Sequence, residues 1–130
     1  MLATHLQIAV FYIGLNVLIA LGLALMVVSN RVRTKTSAGD GGDSKLQAAI
    51  RAHANNSEYV PFALILLIGL ALVNASTILL HIMGIALTLG RLLHGLGLNQ
   101  NIDSPLRPAG ALTTWVTFLV GSIACIYYAL

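Results

Sequence analysis

The chain has 130 residues, of which 58% are hydrophobic and only 8% charged, with a net charge of +3 at neutral pH. Ordinary soluble domains carry about 25% charged residues, so the composition excludes a water-soluble globule and implies an integral membrane protein. The few basic residues are not interleaved with aromatics, and their excess is read as membrane topology; no nucleic-acid partner is expected.

The first apolar stretch, 6–29, carries no charge and is long enough to cross a hydrocarbon layer of roughly 30 Å at about 1.5 Å per residue. It has no small-residue cleavage site and is read as a retained span. Arg31, Arg33, Lys35 and Lys45 follow it. The glycines of the 38–43 run break any helix there, and Ser44 with Gln47 three residues later predicts a capping box for the second helix. The two aspartates of that run are a weak cation signal, and the segment is read as a loop.

The second stretch, 46–73, holds most of the chemistry. Steps of four and seven residues keep Arg51, Asn55 and Glu58 within about 60° of one another on a helix, with Gln47 extending the stripe outward and Phe62 inward. An ionisable group at hydrocarbon depth costs roughly 2.5–3.5 kcal/mol, so this stripe predicts a polar ligand site or an internal ion pair. Pro61 frees the carbonyl of Ser57 and predicts a kink beside it.

In the third stretch, 77–98, one broad face carries Gly84, Leu87, Thr88, Arg91, His94, Gly95 and Leu98. Counting back from the 74–76 turn places Glu58 about 24 Å deep and Arg91 about 22 Å deep. The two are therefore expected to pair or to share one site, with Arg51 above them. The fourth stretch, 105–130, is predicted to start with Asp103 or Ser104 as cap and Pro105 at the first helical position, which puts Arg107 in its first turn.

Arg31, Arg33, Lys35 and Lys45 lie between the first and second stretches and Arg107 after the third, while 74–76 and both termini carry no Lys or Arg. The positive-inside rule then places both termini on the non-cytoplasmic side. No metal site is expected, because no two histidines share the i, i+3 or i, i+4 spacing of a helical site. Cys125 is alone, and no nucleophile or nucleotide motif accompanies it. The residues leave three classes open: an enzyme with a polar ligand, a non-enzymatic lipid-binding or scaffold protein, and a small proton-coupled transporter using Glu58.

The run Arg51-x-x-x-Asn55-x-x-Glu58-Tyr59-x-Pro61, the Gly90-Arg91-x-x-His94 element and the layout of four spans in this length together resemble the MAPEG family, the membrane-associated proteins of eicosanoid and glutathione metabolism. The likeness covers essentially the whole chain and is nearest to the small bacterial inner-membrane members. It implies one transmembrane domain over 1–130, a four-helix bundle assembled as a homotrimer, and glutathione as cosubstrate for conjugation to lipophilic electrophiles or reduction of lipid hydroperoxides. By the resemblance, Arg51, Asn55, Glu58, Tyr59, Arg91 and His94 are glutathione-binding, and Arg107 is the catalytic cation that lowers the thiol pKa. The side-chain chemistry suits that assignment: an arginine fork fits a carboxylate, a glutamate fits the γ-glutamyl ammonium, and an asparagine can serve the amides. His94 and Leu98 stand where several members have tyrosines.

Overall fold

The computed structural model describes residues 2–100 and 104–130, side chains at 99 and 100 excepted. Its helices are α1 (Leu2–Thr34), α2 (Ser44–Leu72), α3 (Thr77–Gln100) and α4 (Leu106–Ala129). All four are long and apolar enough to cross a membrane. The observed α1 extends beyond 6–29 at both ends, and α3 runs two residues past 98, since helical hydrogen bonding continues beyond the apolar segment into the interfacial region. Asp103, one of the two residues expected to cap the last helix, lies outside the described residues.

The bundle is not a square. Helices α2 and α3 pack on each other, α1 and α4 each pack against both, and α1 and α4 do not meet. The central pair thus has neighbours on two sides, whereas the flanking helices leave Val10, Phe11, Leu18 and Leu25 of α1 and Leu119, Ile123 and Ile126 of α4 exposed. Exposed apolar side chains on membrane helices face lipid tails or another helix at little cost, because the surroundings are as apolar as they are.

Hydrogen bonds at the helix ends explain the connections. Both α1 and α2 stop in a Schellman motif: Lys35 N–H bonds Val32 O and Thr36 N–H bonds Arg31 O, and likewise Asn74 bonds Ala71 O and Ala75 bonds Leu70 O. Lys35 (φ 53°) and Asn74 (φ 54°) take the left-handed position that each motif requires. In the α1–α2 loop, Arg33 holds Asp43 with a fork of two hydrogen bonds, 2.7 and 3.1 Å, and Asp43 in turn accepts from Leu46 N at 2.8 Å. Asp43, not Ser44, is therefore the N-cap of α2. A carboxylate already fixed by an arginine makes the stronger, charge-assisted cap. Asp40 accepts from Gly42 N at 3.0 Å, a local turn that accounts for its carboxylate.

Helix α2 continues through Pro61 without a break. At the start of α4, Pro105 is the cap residue and Leu106 the first helical one, a position later than expected; Ser104 supports the turn by accepting from Arg107 N at 3.2 Å through its carbonyl.

The largest apolar cluster is near the α2–α3 turn, where Ile8, Tyr12, Leu67, Leu70, Leu80 and Met83 interlock. Among the described residues two small clusters lie towards the other end: Leu23, Ala52 and Leu98, and Val60, Ala63 and Leu87. Besides these and the buried Leu46 and Ala49, that half holds buried Asn16, Asn56, Arg91, His94 and Thr114.

Candidate functional site

Helices α3 and α4 approach closely because glycines face one another. A methyl group at Gly110 would run into Gly90 O and His94 N, and one at Gly97 would meet Arg107 N at 2.6 Å. This contact lets the Arg91 side chain reach α4. Its Nη2 donates to Thr114 Oγ1 at 2.6 Å and to Gly110 O at 3.2 Å, while Nη1 donates to Asn55 Oδ1 on α2 at 2.9 Å. Arg91 is 2% exposed and ties three helices together. Among the described residues its charge faces no carboxylate, and Nε has no hydrogen-bond partner. A guanidinium held this way in a membrane interior is compensated by dipoles alone.

The pairing of Glu58 with Arg91 expected from depth is not formed. Glu58 is exposed on α2, as is Arg51, while Asn55 and Tyr59, half-buried, turn towards α4. Tyr59 packs against Phe118 with ring centroids 5.8 Å apart. The inward face of α2 is instead Ala49, Ala52, Asn56, Val60 and Ala63, so the stripe of Arg51, Asn55 and Glu58 forms an edge of the helix whose middle residue alone reaches the interior.

Beside the Arg91 junction is a cavity of about 460 Å³ lined by Asn55, His94, Ser104, Arg107, Pro108, Ala111 and Trp115. The α4 contributors, 107, 108, 111 and 115, recur at helical spacing, so one face of the first turns of α4 forms a wall. Asn55, His94 and Arg107, named from three separate stretches of sequence, meet here. Arg91 lies behind Asn55 and is not part of the lining. The chain supplies a polar end and an apolar wall ending in its sole tryptophan.

Sequence reasoning missed Gly110, Thr114 and Trp115. The small residues Gly110 and Thr114, four apart on α4, match the small-xxx-small pattern of close membrane-helix contacts and were a usable signal. It also missed Asn16, a polar residue within the first apolar stretch, which donates to Tyr12 O at 2.9 Å and to Thr88 Oγ1 at 3.0 Å and so joins α1 to α3. No group of three or more metal-ligating side chains occurs among the described residues.

Four apolar helices around a buried arginine define an integral membrane protein, and a cavity beside that arginine joins basic and apolar side chains. The chain belongs to the MAPEG family, whose sequence pattern matches residues 9–127. It is similar to the inner membrane protein YecN of Escherichia coli strain K12, with 35% identity over 122 residues covering 94% of this chain and 92% of YecN, and equally to YecN of Escherichia coli O6:H1. No solved structure matches the chain.

Proposed function

We propose that this protein binds glutathione, or a related thiol, in the cavity between α2, α3 and α4, and conjugates it to lipophilic electrophiles or uses it to reduce lipid hydroperoxides. The observation that carries the reading is the make-up of that cavity: Asn55, His94 and Arg107 on one side, Pro108, Ala111 and Trp115 on the other. A charged tripeptide suits the polar side, and an electrophile dissolved in the bilayer suits the apolar one.

Arg107 occupies the first turn of α4, where the helix dipole is positive. Both the guanidinium and the dipole favour a thiolate over a thiol, and the thiolate is the attacking species. Its sulfur lone pair forms the bond to the electrophilic carbon while the leaving atom departs with the breaking bond's electron pair. With a hydroperoxide, two thiols become a disulfide as the hydroperoxide becomes an alcohol and water.

Arg51 and Glu58, exposed on the α2 edge, fit this scheme in a homotrimer, where they would meet the ligand at the boundary between copies. We place the trimer in a bacterial inner membrane, as the name of the YecN relatives supports, with both termini on the non-cytoplasmic side as the basic loops support. The outward position of Glu58 supports this reading over proton-coupled transport. A non-enzymatic lipid-binding or scaffold protein is the second reading, favoured by Leu98: it is packed with Leu23 and Ala52 and brings no hydroxyl to the site.

The deciding experiment is spectroscopic and kinetic. Glutathione added to the purified protein should give the ultraviolet absorbance of a bound thiolate at neutral pH and turnover with a lipophilic electrophile, both reduced by Arg107→Ala and partly retained by Arg107→Lys. Binding without thiolate absorbance or turnover would leave the non-enzymatic reading; absence of binding would overturn both forms of the glutathione proposal.

A further inference from the structure

Arg91 is the largest fully buried side chain among the described residues, yet it does not line the cavity. What it does to Asn55, which lines it, follows from the inventory of donors and acceptors. A guanidinium has only N–H donors. The atom of the Asn55 carboxamide that faces Arg91 Nη1 at 2.9 Å must therefore be the oxygen, and the amide nitrogen is left on the other side. The guanidinium is itself immobilised, since Thr114 Oγ1 and Gly110 O take its second terminal nitrogen and Thr114 Oγ1 donates on to Gly110 O at 2.9 Å. An Asn55 flip would set Nδ2 against Nη1, donor against donor, at the cost of a charge-assisted hydrogen bond.

The consequence is at the cavity. With Oδ1 held against Arg91 and the carboxamide fixed in that orientation, the group that Asn55 offers a ligand is Nδ2, a donor. Arg107 is donor-only, Ser104 and His94 can each donate, and no carboxylate is among the described residues of the lining. We propose that Arg91 is a positioning residue: by fixing the Asn55 carboxamide with its amino group available to the cavity, it makes the polar end select a ligand that presents an anionic acceptor there. This rests on the cavity being the ligand site, and it assigns Arg91 a role different from direct contact with the ligand.

The test uses the full-length protein in nanodiscs and the emission of Trp115, the sole tryptophan, which lines the cavity. Three probes are titrated: glutathione, and hexanoate and hexylammonium as a pair of like size and opposite charge. Hexanoate should perturb Trp115 at concentrations about ten-fold lower than hexylammonium, the scale of one charge-assisted hydrogen bond. Asn55→Asp places a carboxylate against Arg91, so the fold should be kept and the thermal midpoint should not fall, while the preference for hexanoate is abolished. In Arg91→Gln the Asn55 amide is free to turn, and the preference should shrink towards unity; Arg91→Lys, again donor-only, should restore most of it. Removing a positive charge at exposed Lys45 (K45Q) should leave the preference intact, which separates it from the overall net charge. A purely structural arginine would lower the midpoint in Arg91→Gln without moving the ratio. The proposal is overturned if wild type shows no preference for hexanoate, or if the preference survives both Asn55→Asp and Arg91→Gln. Should Arg91→Gln not fold, Asn55→Asp decides alone. Preference for hexanoate without any response to glutathione would reject the glutathione reading and support this one.

Discussion

The half of the bundle near the α2–α3 turn and the half near the α1–α2 loop are made of the same helices but solve packing differently. In the first, Tyr12 lies over Gly84, and Leu67, Leu70, Leu80 and Met83 fill the centre, while Tyr128 closes the end by accepting from Ser76 N at 3.1 Å. In the second, the centre holds Asn16, Asn56 and Arg91, the apolar clusters are small, and a cavity is left between α2, α3 and α4. In a membrane, where helix association gains nothing from removing oil from water, close packing supplies the adhesion of the first half and hydrogen bonds between helices that of the second. The difference teaches that dense apolar packing and the polar cavity are segregated along the bundle, so substitutions in the two halves should fail in different ways.

The largest expected effect belongs to the apolar half. Leu70→Ala, at a residue with no exposed surface, should destabilise the protein by about 2 kcal/mol or more, as lost packing contacts and a residual cavity do elsewhere, and should leave glutathione affinity near wild type. Reversible unfolding in mixed micelles together with calorimetry checks both halves of the statement. Arg107→Ala should do the reverse, weakening glutathione binding by about 1.5–3 kcal/mol, the range for hydrogen bonds to charged groups, with little change in the unfolding transition.

Glycines sharpen the contrast. Gly110→Ala pushes a methyl into the backbone of Gly90 and His94, and should cost about 1–3 kcal/mol; Gly69→Ala, where nothing lies within 4 Å, should be neutral or stabilising by up to about 1 kcal/mol. Equal losses at the two positions would mean that the close approach of α3 and α4 is not what the structure depends on.

The smallest effect is at the α1–α2 loop. Asp43 has its carboxyl lowered to about 2 from an ordinary 3.8, first by the hydrogen bonds from Arg33 and then by that from Leu46 N. A carboxyl lowered on folding stabilises the folded state above its ordinary pKa, so the clamp is complete above about pH 4 and is lost as the pH falls through about 2. Hydrogen exchange at Leu46 should accelerate, relative to the intrinsic rate, over that interval in wild type. With Asp43→Asn the dependence should flatten.

Azimuth was not legible in the sequence. Rise per residue put Glu58 and Arg91 at one level, but which side of α2 faces inward depends on neighbours: alanines at 49, 52 and 63 allow the close contact with other helices and turn Glu58 outward. Four apolar stretches were plain because each is about 20 residues or longer. Asn55 was legible as a polar residue in an expensive place, His94 and Arg107 were named through the family resemblance, and the three line one cavity. Thr114 was not, since a lone threonine in an apolar helix commonly bonds its own i−4 carbonyl, and only the Arg91 contact across helices gives it a further role. The N-cap was misplaced by one residue because Asp43 owes its advantage to Arg33, ten positions away.

The most direct measurement is isothermal calorimetry of glutathione with the wild-type protein and with Asn55→Leu, Arg107→Ala and Leu70→Ala, all in the same lipid. Saturable heat in wild type and Leu70→Ala, with affinity reduced about ten-fold or more in the other two, is the predicted result. No saturable heat in wild type, or binding untouched by Asn55→Leu and Arg107→Ala, would contradict the assignment of glutathione to this cavity.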